Sequence, residues 1–227
     1  MLGSKVSKET NVSKARHSTR PTLSTHSVPL KVGVLAFHGD VVEHINALVN
    51  AAEKLKLSVV IIQVRTKKDL KNLDGLIIPG GESTTLYKLC DREGIFEDMK
   101  KVPAIFGTCA GAIMLSKNVL HKSEGQETLE LMDIEIDRNA YGRQTDSFEE
   151  ELETELGKIN AVYIRAPKIL KIGKNVKVLA QNGNDILACE ERIGKHYYLA
   201  TCFHPELTTD LFHEYFLRTL IGIKLNT

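Results

Sequence analysis

The sequence lacks several features that mark particular classes of protein. It has no tryptophan, four cysteines among 227 residues and a formal net charge of only +1. The cysteines are widely spaced and form no CxxC pair and no Cys/His cluster with metal-ligand spacing: Cys90, Cys109, Cys189 and Cys202. We therefore expect neither a disulfide framework nor a metal site.

Long apolar runs and blocks of one charge are also missing. No run approaches the roughly eighteen apolar residues of a membrane-spanning helix, and the N-terminus lacks the apolar core of a secretory signal. Lysine and arginine are not interleaved with aromatic residues, so we expect no nucleic-acid groove and no membrane surface. Small molecules and proteins are the expected partners, in a reducing, cytoplasmic setting.

Composition divides the chain into a tail and one domain. Residues 1–30 are rich in Ser, Thr and Lys and have no hydrophobic period, which predicts a disordered basic tail. An organelle transit sequence is the open alternative, although no amphipathic pattern is evident. From 31 to 227 no Pro/Gly linker or shift in composition occurs, so we predict a single domain there.

Within this domain, short β-rich runs alternate with helical periods. Continuous Val/Ile/Leu runs such as "VGVLAF", "SVVIIQV" and "GLIIP" predict strands buried on both faces. Helices are predicted between them, including "KKDLKNL" and "AGAIMLSKNVL". Beyond residue 128, five strand-like pieces precede a closing amphipathic helix. The pattern predicts an α/β fold whose mostly parallel sheet has helices on both faces, extended by a strand-rich half.

The segment "GTCAG" lies where a β-like run changes to helical spacing. A strand-to-helix turn there presents Cys109 at its apex, and Gly107 and Gly111 permit close backbone approach. A helix N-terminus favours the thiolate, and the N–H of Ala110 would face an oxyanion. On this motif alone, a small buried core cysteine remains the alternative.

The segment His204-Pro205-Glu206 ends the strand-like run "KHYYLATCF". Pro205 favours an extended His204, and residues two apart share a face, so Glu206 can contact the imidazole. With Cys109, this pair supplies a nucleophile, a base and its orienter for acyl transfer. An ordinary strand-to-loop exit is the alternative. Three histidines within predicted helices or strands are weaker candidates for the base: His44, His196 and His213.

A glycine turn and three arginines complete the candidate residues. After Pro79, adjacent glycines let the N–H of Gly81 face an oxyanion, or the segment is a simple loop with an N-cap. Arginine binds carboxylates in bidentate fashion. Three arginines beside strand ends are candidates for binding an amino-acid carboxylate or a protein partner: Arg138, Arg143 and Arg165. The alternative is that each of them is simply solvated.

Taken together, "PGGEST", "GTCAG", "RNAYGRQ" with "DSF", "IRAP" and "FHPE" resemble class I glutamine amidotransferases. Within that class the chain resembles the glutaminase subunits of pyridoxal 5'-phosphate synthases from about Val32 to its C-terminal helix. The resemblance implies a flavodoxin-like three-layer α/β sandwich, no cofactor, and hydrolysis of L-glutamine to glutamate and ammonia. Ammonia would then pass to a separate barrel subunit, the synthase, within a hetero-oligomeric complex.

The resemblance also implies residue roles. By position, Cys109 matches the nucleophile, His204 the general base and Glu206 its orienter. Gly81 and Ala110 are the expected oxyanion donors. The positions that match substrate contacts are Gly81, Glu82, Ser83, Arg138, Ile164 and Arg165.

One departure and two other functions stay open. The run Phe37-His38-Gly39 stands where the family commonly has Leu-Gln-Gly, near the oxyanion and the subunit interface, so coupling to the synthase is expected to differ in detail. A glutaminase subunit of another amidotransferase, such as imidazole glycerol phosphate synthase, is opposed by the arginine-containing blocks. A catalytically silent regulatory subunit is opposed by the intact Cys, His and Glu.

Overall fold

A computed structural model describes residues 28–140 and 147–225. Within these residues, strands alternate with helices in the first half and dominate the second. In chain order the elements are β1 (Leu30–Leu35), α1 (Val41–Leu55), β2 (Val59–Val64), β3 (Gly75–Ile78), α2 (Ser83–Arg92), α3 (Phe96–Met99), β4 (Ala104–Thr108), α4 (Ala110–Leu115), β5 (Ser116–Leu120), β6 (Met132–Asp137), β7 (Ser147–Thr154), β8 (Gly157–Ile164), β9 (Lys168–Ile172), β10 (Val176–Asn182), β11 (Asp185–Ile193), β12 (His196–Thr201), a 3-10 helix (Pro205–Leu207) and α5 (Leu211–Leu225).

The centre of the sheet is a parallel run in the order β2-β1-β3-β4-β12. Strands β3 and β4 are buried along their whole length, which is why their sequences are continuous apolar runs. This order is that of flavodoxin-like sheets, whose ligands bind beyond the carboxyl ends of the strands. The predicted α/β fold with a parallel centre is confirmed.

Helices cover both faces of this sheet. On one face α1 and α5 pack over a core that contains Phe106 and Phe216. On the other, α2, α3 and α4 pack around Leu86, Met99 and Met114. The three layers predicted from the sequence are therefore present. In the part of the chain that is described, no helix combines the length and apolar character needed to cross a membrane.

The second half of the chain extends the same sheet with antiparallel strands. Strand β12 pairs with β11, and the sheet continues through β10 and β7 to β8. Strands β5, β6 and β9 form a side ladder that joins the sheet where β9 pairs with β11. On the β12 side the main path of the sheet thus continues by antiparallel pairing, while the side ladder contains one parallel pair, β5 with β6.

The helix predicted over "AGAIMLSKNVL" is wrong in its second half. The helix α4 ends at Leu115, and Ser116 has extended backbone while its hydroxyl donates to the carbonyl oxygen of Ile113 at 2.8 Å. The following residues pair with β6 instead. Asn118 and Val119 have low helix propensity, so the strand ladder outweighs the helical spacing of the apolar residues.

Other differences from the predicted elements are local. The predicted helix "KKDLKNL" forms turns, because the Asp69 carboxylate accepts the N–H groups of Arg65 and Thr66 and so favours a turn over a helix. Strand β7 was not predicted; its sequence "SFEEELET" alternates acidic residues with few apolar ones. Strand β9 was missed as well, since "KILKI" is short and has two lysines.

Two glycines let α4 lie directly against the strands beneath it. A Cβ on Gly111 would lie 2.1 Å from the carbonyl oxygen of Ile78, and one on Gly107 would lie 2.4 Å from the carbonyl carbon of Gly111. Both neighbours are backbone atoms, so a rotamer change could not relieve either contact. The close approach expected of the GxCxG segment is therefore confirmed.

We predict that Gly111→Ala lowers the free energy of unfolding by at least about 2 kcal/mol, because α4 must move away from β3 to admit the methyl group. Chemical denaturation measures this loss. The matched control is Gly222→Ala in α5, where a Cβ would meet nothing within 4 Å. Alanine there should leave stability unchanged or raise it by up to about 1 kcal/mol, so equal losses in both variants would contradict the close approach of α4.

Candidate active site

Three predicted segments meet at one edge of the sheet. Strands β3, β4 and β12 are adjacent and parallel, so their carboxyl ends lie at the same edge. Gly80 follows β3, Cys109 follows β4 and His204 follows β12. This edge is where flavodoxin-like sheets bind their ligands, and it brings together residues that are far apart in sequence.

Cys109 occupies the turn between β4 and α4 with an unusual backbone. Its φ is 49° and its ψ is −104°, a region that residues other than glycine rarely adopt. Its N–H donates to the carbonyl oxygen of Thr201 at 2.8 Å, and its Sγ lies 3.8 Å from the carbonyl oxygen of Ile164. The predicted strand-to-helix turn is confirmed, and strain of this kind is typical of functional sites.

The other three cysteines are core residues. Cys90, Cys189 and Cys202 are fully buried, and burial raises the pKa of each thiol, to about 12 for Cys90 and for Cys202. A thiol with so high a pKa is a poor nucleophile at neutral pH. Cys109 is distinguished from them by its strained turn and by its neighbours.

His204 contacts two carboxylates through one ring nitrogen. Its Nδ1 lies 2.8 Å from Oε1 of Glu206 and 2.9 Å from Oδ2 of Asp40, which leaves Nε2 for the Cys109 thiol. Burial would lower the pKa of His204, but hydrogen bonds to Asp40, Cys109 and Glu206 outweigh it and raise the pKa to about 12. The ring also packs on Gly80, where a Cβ would lie 2.3 Å from Cε1.

The predicted contact between His204 and Glu206 is present, but the expected extended backbone is not. His204 has φ −104° and ψ 84°, outside the extended region, and its N–H donates to the carbonyl oxygen of Val162 at 2.9 Å. Glu206 instead lies in the 3-10 helix, where Pro205 occupies the first turn. The helix turn, rather than the alternation of a strand, brings the carboxylate back to Nδ1.

Glu206 is an ionised carboxylate inside the protein. Its side chain is fully buried; burial alone would raise its pKa, but the contacts with His44 and His204 hold the pKa well below its ordinary value. Burying a charge is costly unless it is paired. The stability of the buried Glu206 charge therefore depends on the histidines that contact it.

Sequence reasoning missed three residues next to this pair. Asp40 precedes α1 as its N-cap, but its side chain makes no capping hydrogen bond and contacts His204 instead. His44 and His213, which ranked as weaker candidates for the base, are both fully buried, and the Nε2 of His44 lies 3.4 Å from Oε1 of Glu206. The one sequence signal was Asp40 directly before the helical period of α1, and an Asp at that position normally indicates an N-cap rather than a contact with a distant residue.

The ligand atoms of Asp40, His204 and Glu206 also lie within 4.8 Å of one another, a spacing that a metal ion can use. The two hydrogen bonds to His204 Nδ1 account for this proximity. The geometry is therefore explained by a protonated nitrogen between two carboxylates.

The two predicted oxyanion positions adjoin this cluster. Gly81 has a φ of +121° in the turn after β3, and Ala110 is the first residue of α4. The loop that departs from the family pattern packs on this turn. A Cβ on Gly39 would lie 2.0 Å from the carbonyl oxygen of Gly80, and one on Gly81 would lie 2.8 Å from the His38 ring.

Glu82 and Arg138 form a second cluster beside the glycine turn. The Glu82 carboxylate caps α2, accepting two N–H groups of its first turn, and Oε1 accepts from Nη2 of Arg138 at 2.8 Å. Arg138 also donates to the side chains of Thr84, Ser123 and Gln126. Partial burial would raise the pKa of Glu82, but hydrogen bonds to its oxygens lower it to about 2.

The remaining predicted contacts occupy different positions around the site. Ser83 is buried and accepts a hydrogen bond from the Gln126 amide at 3.0 Å. Ile164 ends β8 beside Cys109, and Arg165 follows it, exposed and with a φ of 46°. Arg143 and most of the predicted N-terminal tail lie outside the described residues.

We predict that Asp40→Asn lowers the pKa of His204, because one of the carboxylates that stabilise the imidazolium loses its charge. The raised folded-state pKa stabilises the protein fully below the ordinary value of histidine and loses this effect as pH rises. Asp40→Asn should thus reduce stability more near about pH 6 than near about pH 12, because the difference between the two proteins narrows only above the lowered pKa of the variant and disappears where neither ring is charged. Imidazole NMR titration and denaturation at both pH values measure these changes.

The control for this prediction is Asp98→Asn. Asp98 pairs with Lys67 and Lys101 in an exposed cluster, so the same change of charge should leave the pKa of His204 unchanged. An unaltered His204 pKa in Asp40→Asn would contradict the role assigned to Asp40.

Comparison with known proteins gives a consistent result. The profile of the SNO glutamine amidotransferase family matches residues 34–222. The chain is 46% identical over 197 residues to the pyridoxal 5'-phosphate synthase subunit PdxT of Methanosarcina barkeri, covering 83% of this chain and 96% of that protein. It is 44% identical over 200 residues to the protein of the same name from Pyrococcus horikoshii, covering 85% of this chain and all of that protein.

A solved structure agrees with these relatives. The crystal structure of a glutamine amidotransferase matches with a TM-score of 0.71 and 44% identity, covering 84% of this chain and 98% of that one. The matched region contains Cys109, His204 and Glu206 together with the strands that bring them to one edge of the sheet. The chain therefore belongs to the SNO glutamine amidotransferase family.

Proposed function

We propose that the chain is the glutaminase subunit of a pyridoxal 5'-phosphate synthase, in which it hydrolyses L-glutamine with Cys109 as nucleophile, His204 as general base and Glu206 as its orienter. Family membership and the names of relatives at 44–46% identity support the activity. The observation that carries the residue roles is the contact of His204 with both Cys109 and Glu206.

In the first half of the reaction, Sγ of Cys109 attacks the side-chain amide carbon of glutamine. His204, whose raised pKa keeps the ring protonated at neutral pH, already holds the proton of the Cys109 thiol and donates it to the departing ammonia, while Glu206 stabilises the imidazolium. The N–H groups of Gly81 and Ala110 stabilise the oxyanion of the tetrahedral intermediate. Collapse of this intermediate releases ammonia and leaves a γ-glutamyl thioester on Cys109.

In the second half, a water molecule takes the position that the departed ammonia has left. His204, now neutral, takes a proton from this water, whose oxygen attacks the thioester carbon. The same two N–H groups stabilise the second oxyanion. Glutamate leaves and His204 keeps the proton beside the Cys109 sulfur, so the cycle consumes one glutamine and one water and releases one glutamate and one ammonia.

Substrate selection falls to the residues around the glycine turn. Glu82 offers a charged carboxylate, partly exposed beside Gly81, and binds the α-ammonium of glutamine. Ser83 and Ile164 border the pocket, and the exposed Arg165 is a candidate for the α-carboxylate. Arg138 acts through Glu82, since its guanidinium already donates to that carboxylate.

A separate synthase subunit is the proposed partner. The relatives carry the name of a synthase subunit, and the family resemblance implies a barrel subunit that receives ammonia. We expect the isolated chain to be weakly active, since released ammonia would be lost. The loop at His38 and Gly39 touches the glycine turn and offers a route by which docking could reorganise the oxyanion site. Co-purification with a different amidotransferase partner would contradict this assignment.

We predict that Cys109→Ala lowers glutaminase activity by at least about 10³-fold, because no thioester can form. Ammonia release is measured in the presence of the barrel subunit. The control is Cys90→Ala, a core thiol in α2, which should retain most activity despite a small loss of stability. Retention of turnover by Cys109→Ala would overturn the proposed mechanism.

We predict that Glu82→Gln raises the KM for glutamine by about tenfold or more with a smaller change in kcat, because a charge-assisted contact to the ammonium is lost. The amide keeps the size of the side chain and one capping oxygen. Steady-state kinetics measure the change, with Glu93→Gln at the other end of α2 as the control. An equal fall in kcat and kcat/KM would place Glu82 in the chemical step rather than in binding.

A further inference from the structure

His44 is a polar residue in the interior of the molecule, beneath the proposed active site. It lies in α1 with no exposed surface. Its Nε2 is 3.1 Å from Oγ1 of Thr108 and 3.4 Å from Oε1 of Glu206, and its Nδ1 is 2.9 Å from Nε2 of His213. The side chain thus contacts both the proposed orienter and the residue that precedes Cys109.

The protons in this cluster can be assigned from hydrogen-bonding rules. Burial and the neighbouring His44 lower the pKa of His213 to about 3, so His213 is neutral. Glu206 is ionised and accepts only. We assign the proton to the His44 nitrogen that faces it, Nε2, which then shares this proton between Oγ1 of Thr108 at 3.1 Å and Oε1 of Glu206 at 3.4 Å. In a neutral imidazole the other nitrogen accepts, so Nδ1 of His44 accepts from Nε2–H of His213.

This assignment gives one direction of donation, from His213 to His44 to Glu206. It also fits the side-chain atoms that have no hydrogen-bond partner among the described residues, which include Nδ1 of His213 and Oε2 of Glu206. Each is an acceptor in this arrangement, and an unpaired buried donor is thereby avoided.

Both imidazoles point at the same oxygen of Glu206. Nδ1 of His204 is 2.8 Å from Oε1, and Nε2 of His44 approaches that oxygen from α1. Because Oε2 has no hydrogen-bond partner in the described part of the chain, the contacts to Oε1 restrain rotation of the carboxylate. Loss of His44 would therefore leave His204 as the remaining hydrogen-bond donor to Glu206 among the described residues. The carboxylate that orients His204 would then be less firmly held.

We propose that His44 is a positioning residue, which fixes the Glu206 carboxylate against Nδ1 of His204 through its Nε2–H and is itself held in that tautomer by His213. This role rests on the proposed function. His44 touches no substrate and acts through Glu206.

The test compares two substitutions assayed with the barrel subunit. His44→Leu removes the donor and keeps an apolar volume, and it should lower kcat about tenfold with little change in KM. His44→Gln keeps an N–H donor at a similar reach and should recover most of kcat. His196→Leu, at the opposite end of β12, is the control and should leave kcat unchanged. Equal losses in His44→Leu and His44→Gln would overturn the proposal.

A double-mutant cycle separates a positioning role from general destabilisation. If His44 acts through Glu206, His44→Leu should cause no further loss of kcat in a Glu206→Gln background. Multiplicative losses would overturn the positioning role. Failure of the proposed function has a different signature, because Glu206→Gln or Cys109→Ala would then leave glutamine hydrolysis unchanged.

The tautomer of His44 can be measured without any substitution. Imidazole 1H–15N correlation spectra of the unaltered protein should identify His44 as the Nε2–H tautomer, with Nδ1 unprotonated. This measurement keeps the proposal falsifiable even if His44→Leu does not fold. A neutral His44 protonated at Nδ1 could not donate to Glu206, and that result would overturn the proposal.

Discussion

The backbone of Cys109 is the constraint on which the rest of the site depends. Its positive φ turns the chain from β4 into α4, and this turn is possible because two glycines allow α4 to lie against β3 and against the end of β4. A hydrogen bond from the Cys109 N–H to Thr201 then ties the turn to β12. Since β12 leads directly to His204, the same contact that holds the strained turn also places the imidazole beside it.

The second requirement is a buried negative charge that remains ionised. Transfer of the Glu206 carboxylate from water is unfavourable, and the neighbouring histidines offset this cost. The lowered pKa of Glu206 stabilises the fold above the ordinary carboxyl range and is lost in acid, whereas the raised pKa of His204 stabilises it at lower pH and is lost in alkali. The two groups therefore support the folded state most strongly between these limits, where Glu206 is ionised and His204 is protonated.

The sequence identified the segments that converge but not the residues beneath them. Cys109, the glycine turn and His204 each follow an apolar run, and adjacent parallel strands end at one edge, so their meeting was predictable. His44 was not, because it occupies the apolar stripe of α1 and its partner His213 is 169 positions away. Asp40 was not predictable either, because an Asp directly before a helix normally indicates an N-cap. Strands β7 and β9 were missed for a related reason, since their charged residues weaken the hydrophobic pattern on which strand prediction relies.

The substrate side of the site illustrates how a correct chemical expectation can apply to a different partner. Arginine was expected to bind a carboxylate, and Arg138 does so, but the carboxylate is that of Glu82. Three further hydrogen bonds fix the same guanidinium between α2 and the segment that carries Ser123 and Gln126. A group so fully engaged gains little from a ligand carboxylate. We therefore propose that Arg138 shapes recognition by holding Glu82 in place, and that the exposed, strained Arg165 meets the substrate directly.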